Sequence, residues 1–287
     1  MYSRIDSKDN NIIKQIVRLA SNKNYRDQLH LSVAYGYHLV EAALEYGVLK
    51  KLLVDEKALV NYSGLIQNIP DDLIYLVSSK IMDKVNLLES KVDLVGVVEF
   101  PTRQLSSSLY SEDCLVLENI QDPGNLGAIL RIAKASGVNN IIISKNSVDL
   151  YNPKVLRSSQ GAIFGLNVYA EVDIVEFIKN CSSADNIDKS AEDKKVKYKS
   201  VKDKSAEIKN PLIIATVPNA SDSLYKVNLS NKPVVWVFGN EGAGLSELVL
   251  SMIKQQVSIP MQNNTESLNV AMAVSVCLFE QLRQRLE

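Results

Sequence analysis

Residues 114–131 read CLVLENIQDPGNLGAILR. Cys114 to Ile120 is an apolar run of the buried-strand type, Asp122-Pro123-Gly124 supplies turn chemistry, and Asn125 can cap a helix. From Asn125 to Ser136 the apolar residues take helical spacing, and Gly137 closes the run. A strand that turns directly into a helix predicts a βα unit, and the unit recurs. Further strands are predicted at Ile141–Ser144, Val168–Val172, Leu212–Val217, Val234–Gly239 and Val257–Met261. Helices are predicted between and after them, at Lys154–Phe164 with Gly161 inside it, Asp173–Lys179, Ser246–Gln255 and Ser267–Arg285. This alternation predicts an α/β fold with a parallel sheet covered on both faces.

Upstream, Asn11–Ser21 places Ile12, Ile13, Ile16, Val17, Leu19 and Ala20 at helical spacing, with Lys14 and Arg18 on the other side. A second helix is predicted over His38–Tyr46, closed by Gly47, and a third from about Ser79 to Leu88. Strands are predicted at Lys51–Asp55, Ile74–Val77 and Leu94–Phe100, so residues 1–100 form a small α/β module of their own. The stretch 101–112, PTRQLSSSLYSE, breaks the periodicity and is taken as a linker to a second domain, 113–287. Within that domain residues 181–209 are rich in Ser, Asp and Lys and are expected to be a mobile insertion.

The 287 residues suit one large or two ordinary domains, and 46% hydrophobic with 23% charged residues excludes collagen-like, disordered and disulfide-scaffold classes. Lys+Arg 32 against Asp+Glu 33 leaves a net charge of -1, so the totals do not announce a nucleic-acid partner. Any such contact has to be local, and residues 1–30 hold Arg4, Lys8, Lys14, Arg18, Lys23 and Arg26 against three aspartates. Cys114, Cys181 and Cys277 are widely spaced without a C-x-x-C, and His30 and His38 are too isolated for a metal site. With no apolar leader and no run long enough to span a bilayer, the expected setting is cytoplasmic, with no membrane partner.

Three polar turns come directly after predicted strands, where open parallel sheets bind ligands. The first is 118–131. The second, Phe238-Gly239-Asn240-Glu241-Gly242-Ala243-Gly244-Leu245, has three glycines in six residues, which points to special dihedrals or close approach to a ligand. Its G-x-x-G-x-G spacing matches neither phosphate-binding pattern, and Glu241 opposes a phosphate, so a hydroxyl or a cation suits it better; packing alone is the alternative. The third, Ile259 to Val270, offers Asn264 or Thr265 as a helix N-cap, with Ser267 and Asn269 in the first turn.

Taken together, N-x-x-D-P-x-N-x-G-x-x-x-R (Asn119–Arg131), F-G-N-E-G-x-G-L (Phe238–Leu245) and I-P-M-(x)5-S-L-N-V (Ile259–Val270) resemble the three motifs of the SpoU (TrmH-type) RNA ribose 2′-O-methyltransferases of the SPOUT superfamily. The resemblance covers residues 113–287, with Asn152-Pro153-Lys154 and Arg157 to Ala162 matching the intervening segment. More weakly, residues around Arg26 and Ala34–Leu44 resemble the family's amino-terminal RNA-binding domain. The resemblance implies a carboxy-terminal trefoil knot, S-adenosylmethionine as cofactor, no metal, and a homodimer formed through the carboxy-terminal domain. It further implies that Phe238, Gly239, Asn240, Gly242, Gly244, Ile259, Met261 and Leu268 hold the cofactor, while Asn125, Arg131, Glu241, Ser267 and Asn269 form the catalytic end.

The implied reaction methylates a ribose 2′-hydroxyl of structured RNA, ribosomal RNA first and tRNA second. A non-catalytic RNA-binding or ribosome-assembly protein on the same scaffold is the alternative, and the intact polar set argues against it. Two positions depart from the family pattern. Asn263 stands where glycine is usual and is the next most tolerant residue for a left-handed turn. Tyr35 stands where relatives often carry glutamate.

Overall fold

A computed structural model describes residues 2–87, 91–101, 103–183, 210–263 and 265–287. In chain order the first elements are β1 (Ser3–Ile5), α1 (Asn11–Ser21), α2 (Lys23–Leu29), β2 (Leu31–Tyr35), α3 (Tyr37–Glu45), β3 (Leu49–Asp55), α4 (Ser63–Ile66), β4 (Ile74–Val77), α5 (Ser79–Val85) and β5 (Leu94–Glu99). Next come β6 (Cys114–Leu117), α6 (Pro123–Ser136), β7 (Asn140–Ser144), α7 (Pro153–Ser159), β8 (Asn167–Val172) and α8 (Ile174–Ser182). The chain ends with β9 (Leu212–Thr216), β10 (Asp222–Ser223), β11 (Val234–Phe238), α9 (Glu247–Met252), β12 (Gln255–Ser258) and α10 (Val270–Leu286).

The chain packs as two units that are not consecutive stretches. Residues 1–102, 122–131 and 148–166 form the first; residues 103–121, 132–147 and 167–287 form the second. Most of the proposed 181–209 insertion lies outside the described residues.

The first unit holds a five-stranded mixed sheet, ordered β1-β4-β3-β5-β2. Strand alternation sorts its core into two layers. Val33, Leu53, Val95 and Val97 face Ile13, Ile16 and Leu19 of α1 and Ile81, Met82 and Val85 of α5. Ala34, Leu52, Val54 and Val98 face Leu39, Val40 and Ala43 of α3, Leu65 and Ile66 of α4, and Leu156 of α7. Local chemistry fixes the helices: Asn10 caps α1 by accepting the Ile12 N–H, and Asn22 accepts the Tyr25 N–H at 2.9 Å to start α2.

Arg26, one of the cations of residues 1–30, is not on the surface. It is 4% exposed, ion-paired with Asp149, and donates to the Leu19 carbonyl at 2.6 Å. Tyr35 is likewise buried, its hydroxyl donating to the Val85 carbonyl at 2.9 Å, and burial pushes its pKa up to about 12. The helix expected over 154–164 stops at Ser159: Gln160 and Gly161 turn left-handed, and a Cβ on Gly161 would lie 2.5 Å from that of Ala42.

The second unit holds a seven-stranded sheet, parallel in every pairing, ordered β10-β12-β9-β11-β6-β7-β8. Its central strands β6, β7 and β11 are buried throughout, as a sheet covered on both faces requires. Trp236 is fully buried and its indole N–H donates to Gln281 of α10. The strand expected to reach Met261 ends at Ser258, two residues before Pro260, which lacks the N–H a ladder needs.

Candidate functional site

Strands β12, β9 and β11 are neighbours, and the chain leaving their carboxyl ends builds one cavity. Thr216–Pro218 lies at the end of β9, the loop from Gly239 to Leu245 comes after β11, and Ile259, Met261, Ser267 and Leu268 after β12; the cavity is open on one side and its volume is about 180 Å³.

The 239–245 loop is shaped by its own backbone. Asn240 and Gly244 exchange N–H···O bonds of 2.9 and 3.0 Å. This closure brings Gly239 so near Gly244 that a Cβ at position 239 would lie 2.2 Å from the Gly244 carbonyl carbon. The Asn240 side chain completes the loop: its Oδ1 accepts the N–H groups of Gly242 and Ala243, each at 2.9 Å, and its Nδ2 donates to the Asn119 carbonyl at 2.9 Å. Asn119 presents that carbonyl from a left-handed conformation, φ 54°. Glu241 accepts the Gln121 N–H at 3.3 Å, a second tie between the first motif and the second.

Glu118 has no role assigned to it from sequence. It is buried just past the end of β6 and accepts both the N–H and the hydroxyl of Ser246, at 2.8 and 2.7 Å. Ser246 is the N-cap of α9, so this carboxylate anchors the far end of the cavity loop. A signal for it exists in the sequence: an acidic residue directly after a continuous apolar strand is buried unless the chain turns early, and a buried carboxylate needs donors.

Phe238, Gly239, Asn240, Gly242, Gly244, Ile259, Met261 and Leu268 all line the cavity, together with Glu241 and Ser267. Asn269 is not among its described lining; its side chain caps α10 by accepting the Ala271 N–H at 2.9 Å. The helix therefore starts at Val270, later than expected from sequence, and Ser267 and Leu268 stay in the loop where they reach the cavity. Asn263 is left-handed, φ 56°, as its substitution for glycine required.

Asn125 and Arg131 lie on α6, in the first packing unit. Asp122, not Asn125, closes the amino end of α6, accepting the Asn125 N–H at 2.7 Å. Arg131 is exposed six residues on, about 9 Å further along the axis. Gly127 between them is compulsory: a Cβ there would lie 1.9 Å from the Ser158 Oγ and 2.7 Å from the Val155 carbonyl oxygen.

The chemistry of the cavity is one-sided. Its described lining has one carboxylate (Glu241), two hydroxyls (Thr216 and Ser267), the Asn240 amide, backbone amides and apolar side chains, but no Lys, Arg or His. Such a wall accepts an organic cation or a polyol and repels phosphate. Among the described residues no group of His, Cys, Asp or Glu is arranged to hold a metal ion. No described helix is long and apolar enough to cross a membrane.

A parallel sheet whose neighbouring strand ends fold into a glycine-rich, cation-free cavity defines an α/β protein that takes a small organic ligand at its carboxyl edge. The chain belongs to the SpoU rRNA Methylase family, which residues 113–279 match. It is 32% identical to an uncharacterized tRNA/rRNA methyltransferase of Synechocystis, over 98% of this chain and 94% of that protein. It is 26% identical to the 23S rRNA (guanosine(2553)-2'-O)-methyltransferase RlmP of Bacillus subtilis, over 96% and 98%. The crystal structure of an AdoMet-bound rRNA methyltransferase from Sinorhizobium meliloti superposes with a TM-score of 0.79 at 25% identity, over 100% of this chain and 99% of that one.

Proposed function

We propose that this protein transfers a methyl group from S-adenosylmethionine to a ribose 2′-hydroxyl of RNA, ribosomal RNA in the first place. The observation that carries the reading is the cavity wall: among the described residues it has one carboxylate, no cation, and all eight expected cofactor residues. The fit is chemical. A sulfonium ligand brings positive charge that Glu241 tolerates, and an adenine needs the apolar surface that Ile259, Met261 and Leu268 provide. When bound, S-adenosylmethionine supplies a methyl group that is already electrophilic.

The chain's own residues then have two tasks, alignment and management of the hydroxyl proton. Backbone groups of 239–245 and Ser267 orient the ligand, and Asn125 and Asn269 organise the catalytic end. Arg131 serves by fixing an adjacent phosphate and stabilising the developing alkoxide.

Two further features belong to this reading. The segments after β11 and β12 line one cavity although β9 separates those strands, an arrangement that supports a knotted carboxyl end. Met272, Phe279 and Leu286 recur every seventh residue along α10 with exposures of 58, 43 and 79%, which supports a homodimer through this helix.

Titration calorimetry with S-adenosylmethionine, then mapping of 2′-O-methyl sites in RNA from cells with and without the gene, tests the proposal. Binding plus a lost ribosomal RNA mark is expected. No heat at millimolar cofactor sinks it, and a lost tRNA mark redirects the substrate. The Arg131→Lys variant is expected to lose activity at least tenfold across the pH profile.

A further inference from the structure

The five-stranded sheet of the first unit separates charge between its two faces. On the face covered by α1, α2 and α5, the exposed charged residues of those helices are Lys14, Arg18, Lys23, Lys80 and Lys84 against Asp27 and Asp83, a net of +3. On the opposite face, α3, α4 and the 3-10 turn Asp71–Leu73 carry Glu41, Glu45, Asp71 and Asp72 and no Lys or Arg. There α7 adds Lys154 and Arg157, so that face sums to -2. A balanced total thus conceals a sided distribution.

Helix α1 lies between α2 and α5 and touches both. At its last turn the Arg18 guanidinium sits 4.1 Å over the Tyr25 ring. Among the described residues no carboxylate pairs with it. A guanidinium held over an aromatic face is restrained by it and still has N–H donors with which to bind a phosphate.

We propose that the α1–α2–α5 face is the surface on which the RNA backbone docks, with Arg18, oriented by Tyr25, as its central contact. The proposal rests on the RNA methyltransferase reading and names the face that reading leaves open. Each phosphate neutralised releases counterions, so the number of contacts is legible in the salt dependence of binding.

The experiment titrates the full-length protein with a 23S rRNA fragment from about 50 to about 250 mM salt. The triple variant K14A/R18A/K80A is expected to bind at least tenfold more weakly, with a log–log salt slope shallower by about 2. Tyr25→Leu keeps every charge and is expected to weaken binding two- to fivefold at an unchanged slope, an order-of-magnitude expectation for a lost stacking contact. Glu41→Gln with Asp72→Asn, on the other face, is expected to leave the slope unchanged. S-adenosylmethionine binding, measured by calorimetry, stays at wild-type strength in all of them. If the wild type binds cofactor and RNA but the triple variant matches it in affinity and slope, the docking face is overturned alone. If the wild type binds neither, the methyltransferase reading falls with it.

Discussion

A methyl group added at Gly239 has nowhere to go, because the space is occupied by the backbone of Gly244 and Leu245 at 2.2 to 2.3 Å. The obstacle is main chain, so no side-chain rotation relieves it, and the loop itself must open. We therefore expect Gly239→Ala to abolish detectable cofactor binding in calorimetry while the protein remains folded by circular dichroism; wild-type affinity would refute the assignment of this loop. Glu118→Ala removes the acceptor of two donors on Ser246 and should cost about 1–3 kcal/mol in denaturant unfolding. Loss of less than about 0.5 kcal/mol would show that water replaces the carboxylate freely. Residue-level reading of the sequence succeeded where backbone geometry dictates identity, as at Asn263, and failed at Arg26, whose partner Asp149 lies 123 positions away and leaves no local trace.

Elements were legible to the extent that one pattern governed them. β4 and α1 have the boundaries their periodicity predicts, because nothing nearby competes with the apolar repeat. α7 is shorter than its apolar pattern since α3 presses on Gly161, and α10 starts late since the cavity claims Ser267 and Leu268. Both corrections are tertiary demands overriding local propensity.

Helix α10 also carries a titratable tie near its carboxyl end. Glu280 accepts from Arg283 at 2.9 Å and from Gln284 at 2.8 Å, and the Arg283 bond above all holds its pKa below the ordinary 4.5. A depressed carboxylate pKa stabilises the fold above the unfolded value and ceases to do so as pH falls through the folded one. The melting temperature of Glu280→Gln should accordingly lie below wild type at neutral pH, with the gap closing below pH 4.5. A gap that widens on acidification would contradict the assignment. The three thiols offer a complementary probe. Burial raises the pKa of all three, Cys181 and Cys277 to about 12, so alkylation at pH 8 should await unfolding.

At the scale of the whole molecule, the exposed apolar stripe of α10 is the surface on which the proposed homodimer rests. Phe279→Glu places a charge in its middle and should convert a dimer into a monomer in light scattering, without altering the far-ultraviolet spectrum. A wild type that elutes as a monomer would refute the dimer directly. The alternation of strand and helix patterns in both halves of the chain was legible in the sequence. That residues 122–131 and 148–166 pack with residues 1–102 was not, because no local signal marks which sheet an amphipathic surface will cover.

That interleaving has a consequence for synthesis on the ribosome. When the first hundred residues emerge, the apolar surface of α3 and β2 still lacks Tyr151, Leu156 and Phe164, and Arg26 still lacks its counter-charge. At about 5–20 residues per second, the wait for Asp149 is on the order of 6–25 s. The amino-terminal sheet is thus born incomplete, with a cation beside its core, and it matures only once the opening βα units of the catalytic half have been translated.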